Sequence, residues 1–388
     1  MIYLDNNATT QVAPEVFEAM RPFLNELYGN PSSAHTFGRK MRHAVERARE
    51  QVAALLGASD SGEIVFTSCG SESDNWAIRG ALKQNPEKRH IVTTRVEHEA
   101  VRNLCEHLEQ NGYEVTWLGV DEEGQLDLES LSAALRHDTA LVSVMLANNE
   151  TGVLFPIAEI GRMVHERSAA LFHVDGVQAV GKIPIDLSKG EVDLFALSGH
   201  KFHAPKGVGA LYIRSGVKLP SFIIGGGQER GRRAGTEAVA LMAGFGAAAE
   251  AAGAESADSS RMSRLRAWLE ADLRTISPEV EIFGAGAERL PNTTCFGLRG
   301  VRAETAVIAL DLAGVAVSSG SACSSGKVSE SHVLRAMGVA PELMRSAIRV
   351  SLGWSSRDSD VERFLEAWRS FSAKLATERK HSGVPVPA

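Results

Sequence analysis

Ser198-Gly199-His200-Lys201 closes the apolar run Val192-Asp193-Leu194-Phe195-Ala196-Leu197 and opens the small-residue stretch Phe202-His203-Ala204-Pro205-Lys206-Gly207-Val208-Gly209. A lysine at a strand end, between a histidine and a glycine-rich turn, reads as a reactive amine. Taken alone, a His-Lys pair more often reads as a charge reaching solvent from a strand tip. An unperturbed lysine has a pKa of about 10.4, so roughly one in 2,500 is neutral at pH 7. A nucleophilic role therefore needs a site that discharges the amine or captures it as a Schiff base.

Working outward, the same pattern recurs. Short β-rich runs lie at Ile64-Val65-Phe66-Thr67, His90 to Thr94, Val115 to Leu118, Leu141 to Leu146, Ala170 to Val174, Leu194 to Leu197 and Ala210 to Ile213, with helical segments between them. Several are apolar on both faces, as buried parallel strands are. Strands alternating with helices predict an α/β sheet covered on both sides, with ligands bound beyond the carboxyl ends of its strands. Ahead of these runs, Phe17, Met20, Leu24 and Leu27 predict one amphipathic helix stopped at Gly29-Asn30-Pro31. A second, from about Gly38, carries Met41, Val45, Ala48, Val52 and Leu55 and ends at Gly57. The Ala/Glu/Ser/Gly-rich segment from Ala247 to Ser260 reads as a helical connector. Beyond it come a helix with Met262, Leu265, Trp268 and Leu269, a strand-like run from Asn292 to Leu298, and a last helix with Phe364, Trp368, Phe371 and Leu375. The tail after Lys380 is expected to be disordered.

The 388 residues exceed one simple core, so two domains are expected. A composition of 44% apolar and 23% charged residues with net charge −7 argues against nucleic acid or an anionic membrane as the main partner. There is no apolar run of membrane-spanning length, and Met1 to Asn7 lacks the features of a signal peptide, so a cytoplasmic protein is expected. Cys69, Cys105, Cys295 and Cys323 form no CxxC pair, which speaks against a zinc site or a disulfide framework.

Polar groups converge at the predicted strand ends. Cys69-Gly70-Ser71-Glu72-Ser73-Asp74-Asn75 opens a helix whose free N–H groups, with the Ser71 hydroxyl, make a phosphate seat; an ordinary helix cap has the same appearance. His98 follows the second run, where it would lie flat on an aromatic cofactor or serve as a structural histidine. Asn149 follows the fourth, in Asn148-Asn149-Glu150-Thr151-Gly152, and Asp175 and Gln178 follow the fifth. A carboxylate at a buried strand tip costs several kcal/mol unless paired. The ring nitrogen of pyridoxal phosphate is a fitting partner, because a protonated nitrogen makes that ring an electron sink. Asp175 for the nitrogen and Lys201 for the aldehyde form a far more specific pair than either residue alone.

Together with Tyr3 to Thr10, Gly29 to Ser33, Phe66 to Gly70, Glu229 to Thr236 and Arg349 to Gly353, these blocks make nearly the whole chain resemble the pyridoxal-phosphate-dependent cysteine desulfurases of the class V aminotransferase family, most closely the nitrogen-fixation type. The resemblance implies fold type I of the pyridoxal-phosphate-dependent transferases: a large α/β domain, 13–250, with a mostly parallel seven-stranded sheet, and a smaller α+β domain from 1–12 and 251–380, before a tail of 381–388. It implies that Lys201 holds the cofactor and moves protons at the substrate's α-carbon, that His98 stacks on the ring, and that Asp175 pairs with its nitrogen and Gln178 with its phenolic oxygen. Gly70, Ser71, Ser198 and His200 would hold the phosphate, with Thr236 supplied across a homodimer interface. Asn149 and Arg349 would clamp the carboxylate of L-cysteine. No metal is implied.

Cys323 lies in Ser318-Ser319-Gly320-Ser321-Ala322-Cys323-Ser324-Ser325-Gly326, which composition alone describes as a linker. The resemblance makes Cys323 the thiol that takes sulfur from the substrate as a persulfide, releases alanine and delivers the sulfur to an iron–sulfur scaffold or another acceptor, nitrogenase clusters included. A selenocysteine lyase, another class V aminotransferase, or an inactive scaffold of the same fold are the competing readings. Two departures stand out: Gly225-Gly226-Gly227 where the family pattern has glycine-glycine-histidine, and Ser324 to Ser331, which differs from the common sequence after the cysteine.

Overall fold

The computed structural model describes residues 1–257, 259–320 and 330–382. Seven strands form the main sheet in the order Ile64–Thr67, Gly209–Ile213, Leu194–Ser198, Leu171–Asp175, Thr139–Met145, His90–Thr94, Glu114–Leu118. Gly209–Ile213 runs antiparallel to both neighbours, and the four pairings beyond Leu194–Ser198 are parallel. The central strands are buried along their whole length, which explains why their sequences are apolar on both faces. All seven predicted runs are present, with ends displaced by at most two residues.

The expected single helix through Phe17 and Leu24 is instead two, Pro14–Met20 and Pro22–Asn25. Pro22 has no N–H to continue the ladder and its ring crowds the preceding turn, so the chain breaks at Arg21. Phe17 and Leu24 are left exposed. The next helix, Thr36–Leu56, starts two residues before Gly38, where His35 Nδ1 accepts the Gly38 N–H at 3.2 Å. Met41, Val45, Ala48 and Val52 are buried as expected, and Leu56 rather than Leu55 completes the stripe before left-handed Gly57 (φ 62°) ends the helix. Val239–Ala257 packs closely on this helix: a Cβ at Gly246 would come within 2.7 Å of Ala48 Cα. Ala248, Ala249 and Ala252, in the segment expected to be a connector, are therefore part of the main core.

A second core lies against a four-stranded antiparallel sheet in the order Ser318–Ser319, Ile348–Ser351, Thr293–Gly297, Glu281–Ile282. Leu265, Leu269 and Leu273 from Ser260–Ile276 meet Phe364 and Trp368 from Asp358–Ser382 there, with Trp368 edge-on to Phe296 at 5.1 Å. Leu4 joins this core, and Ile2–Tyr3 pairs in parallel with Val315–Ala316. The last helix reaches Ser382, two residues into the expected tail; 383–388 lie outside the described residues. Among the described residues no helix is long and apolar enough to cross a membrane.

Ile64–Thr67 is an edge strand, and a buried ion pair covers its open side. Arg49 donates to Glu229 through both terminal nitrogens at 2.7 and 2.9 Å and to Ile64 O at 2.9 Å, while Glu229 Oε2 accepts the Phe66 N–H at 2.9 Å. The free carbonyl and amide of the edge are thereby satisfied. Arg49→Met should leave the Glu229 carboxylate buried without its cation and cost about 3–5 kcal/mol. A urea titration followed by fluorescence measures this, and a loss below about 1 kcal/mol would contradict it.

Candidate active site

A cavity of about 250 Å³ opens beyond the carboxyl ends of the sheet strands. Lys201 reaches it because Leu194–Ser198 ends in a tight turn, Gly199–Lys201, held by Phe202 N–H to Gly199 O at 3.1 Å. Its Nζ donates to Asn7 O at 2.7 Å and Ala8 O at 2.9 Å, so the first residues of the chain close this side of the site. His200 is held at its carbonyl by the Thr10 N–H (2.8 Å) and hydroxyl (3.0 Å), and its Nδ1 lies 3.1 Å from Thr9 Oγ1. Burial and the Lys201 charge push the His200 imidazole down to about 4, leaving it uncharged at neutral pH.

Asp175 ends the neighbouring strand, buried, with Oδ1 accepting the Val177 N–H at 2.9 Å. Burial pushes its carboxyl up to about 6, against the pull of that N–H and of Lys201. Two further carboxyls stand around it, and sequence reasoning missed both. Asp74, from the helix Gly70–Gln84, lines the cavity with neither oxygen hydrogen-bonded among the described residues; burial and the nearby Asp175 hold it well above the usual carboxylate range. Glu97 Oε1 accepts from the Thr94 hydroxyl at 2.7 Å and the Met145 N–H at 3.1 Å, and burial pushes this carboxyl up to about 8. At pH 7 Asp175 is thus mainly ionised and Glu97 mainly protonated. His173, two residues before Asp175 on the same face of its strand, places Nε2 3.5 Å from Asp74 Oδ1; burial pushes it down to about 3. The period-two spacing of His173 and Asp175 was the available sequence signal.

At another side Gly70 begins its helix, and a Cβ there would come 2.7 Å from Val177 Cγ2. Ser71 and Ser198 line the same region, and the buried Ser198 Oγ has no partner among the described residues. An orphan hydroxyl beside a helix N-terminus suits an anion. His98 caps Glu99–Gln110, its Nδ1 accepting the Ala100 N–H at 3.1 Å, and burial with the Lys201 charge pushes it down to about 4. Arg349, fully buried, donates to Asn149 O at 3.0 Å and Asp5 Oδ1 at 2.8 Å. Gln178 donates to Asn7 O at 3.0 Å and accepts from Lys182, a residue absent from the sequence reading.

All the predicted residues among the described ones line this cavity except Thr236, which is exposed and off it. Gly227 is also outside it, with open space where a side chain would stand. Cys323 lies outside the described residues. The arrangement presents an amine, an ionised carboxylate, an anion seat and a buried guanidinium around one small space, enough to hold a flat anionic cofactor and an amino acid together.

The model of the aminotransferase class-V family matches residues 2–364. The chain belongs to this family. The chain is 54% identical over 377 residues to a cysteine desulfurase of Trichormus azollae, covering 97% of this chain and 94% of the relative. It is 46% identical over 375 residues to the cysteine desulfurase NifS of Azotobacter vinelandii, covering 96% and 93%. Among solved structures, a NifS-like protein superposes with a TM-score of 0.90 at 40% identity, covering 96% of this chain and 99% of the other. A NifS-like protein from Rickettsia africae gives 0.87 at 36%, with the same coverage.

Glu97 titrates higher folded than unfolded, so its stabilising contribution is complete below its ordinary value of 4.5 and is lost as pH rises through about 8. Glu97→Gln keeps an acceptor for Thr94 and Met145 and removes that loss. Urea midpoints of the variant should gain on wild type steadily from about pH 5 to 8; a gap independent of pH would contradict the assignment.

Proposed function

We propose that this chain is an L-cysteine desulfurase that uses pyridoxal 5'-phosphate, converts L-cysteine to L-alanine and places the sulfur on Cys323 as a persulfide. The observation that carries the reading is the pair Asp175 and Lys201, an ionised carboxylate and an amine delivered into one cavity from neighbouring strands paired at Asp175 and Ala196. An isolated buried carboxylate is costly, and a pyridinium nitrogen offsets that cost. The orphan Ser198 hydroxyl and the space that only glycine leaves at position 70 fit the cofactor's phosphate.

Lys201 would hold the aldehyde and Asp175 the ring nitrogen. Gly70, Ser71, Ser198 and His200 would hold the phosphate, Gln178 the phenolic oxygen, and His98 with Asn149 the ring. When bound, the cofactor withdraws electrons from the substrate's α-carbon. Arg349, with Asn149, receives the substrate carboxylate by charge and hydrogen bonds. Lys201 moves the α-proton as general base and acid, and His98, uncharged at neutral pH, is able to accept a proton beside it. The Cys323 thiolate would take the substrate sulfur: a sulfur–sulfur bond forms, the carbon–sulfur bond breaks with its electron pair left on carbon, and that carbon takes up a proton to become the methyl group of alanine. In the same reading the enzyme is a cytoplasmic homodimer in which the partner subunit's Thr236 completes the phosphate seat, an arrangement that the exposed position of this threonine permits. The persulfide then supplies an iron–sulfur scaffold, that of nitrogenase clusters among them.

Cys323→Ala should keep the visible absorption of protein reconstituted with pyridoxal phosphate and lose alanine formation from L-cysteine by on the order of a thousandfold or more. Lys201→Ala should lose both. Mass spectrometry of wild type after exposure to L-cysteine should find one added sulfur on the peptide bearing Cys323. Alanine formed by Cys323→Ala at the wild-type rate would overturn the persulfide route.

A further inference from the structure

Lys182 is buried, and it does not line the cavity. Its Nζ donates to Gln178 Oε1 at 2.9 Å and to Asn7 Oδ1 at 3.0 Å. Burial, with the charges of Lys201 and Arg349, pushes this amine well below its ordinary range, yet charged or neutral it has an N–H for each acceptor. The amide orientations follow from groups that can only accept or only be met one way. Asn7 Nδ2 donates to Asn149 O at 3.3 Å and to Thr293 Oγ1 at 2.9 Å, which turns Asn7 Oδ1 toward Lys182 and Asn292 Nδ2. Gln178 Nε2 gives one N–H to Asn7 O at 3.0 Å. Gln178 lines the cavity, and among the described residues its second N–H has no partner.

We propose that Lys182 is a positioning residue, which pins the carbonyl oxygen of Gln178 away from the cavity so that the wall beside Lys201 offers a donor and not an acceptor. This rests on the functional reading above and deepens it: the group recognised there is an oxyanion, the ionised phenolic oxygen of the cofactor. A reversed amide would set oxygen against oxygen. Lys182 therefore acts on the phenolic oxygen through Gln178, and removing either residue should have the same effect on it.

The test reads the pH midpoint of the visible absorption band in protein reconstituted with pyridoxal phosphate. Lys182→Met should shift that midpoint by about half to one pH unit, the size expected for one lost hydrogen bond. Gln178→Ala should give the same shift in the same direction, and the double variant should go no further. Lys182→Arg, which keeps a donor, should return the midpoint toward wild type. A wild-type midpoint in Lys182→Met, or a double variant whose shift is the sum of the two, would overturn the inference. If Lys182→Met does not fold, Lys182→Ala is read by the same criteria, since it also removes the donor to Gln178 Oε1. A wild-type protein that acquires no visible band would instead sink the functional reading itself.

Discussion

The carbonyl oxygen of Asn7 accepts both the Lys201 Nζ and the Gln178 amide, and these contacts exist only because the first ten residues run between the two cores. At one end Ile2–Tyr3 adds to Val315–Ala316 and Leu4 enters the second core. The Asn6 side chain and the Asn7 N–H bond Ser351, and Asp5 holds Arg349. At the other end Thr10 and Ala13 bond the carbonyls of His200 and His203 in the main domain's loop. Each half of the segment is thus anchored to a different unit. The site is therefore walled by groups from both units, and Arg349 and Lys201 are held in relation to each other through the four residues from Asp5 to Ala8.

Around that frame the charges are sorted by burial. His98, His173 and His200 are all pushed well below their ordinary range, while Asp74 and Glu97 are pushed above theirs. Desolvation disfavours whichever form is charged, so it neutralises imidazoles and carboxyls together. Asp175 is pushed up less than Glu97, because the Val177 N–H and the Lys201 cation favour its ionised form against burial. Of these carboxyls Asp175 keeps the most ionised character, beside the Lys201 cation.

The sheet was legible because each buried strand declares itself over four to seven apolar residues and each ends in a polar group whose placement follows from parallel topology. Lys201, Asp175, Asn149, His98 and Ser198 were found this way. The break at Arg21 is written in Pro22, whose missing N–H overrides the apolar spacing that runs across it. Two-residue strands such as Ser318–Ser319 have no period to read. Asn7, Lys182 and Glu97 were not legible as site residues, since their roles come from partners about fifty to nearly two hundred positions away or from backbone carbonyls that no side-chain pattern reveals.

Glu229 and Arg230 both adopt left-handed backbone angles, φ 48° and 56°, which side chains with a Cβ resist by about 1–2 kcal/mol each. Glu229 is held there by Arg49 from a distant helix and by the Phe66 amide. The corner that leads to Thr236 is thus unfavourable on its own and is offset by contacts with that helix and the edge of the sheet. The outward-facing loop takes its course from bonds made in the interior, so a change that loosens Arg49 or the strand edge loosens the surface there as well.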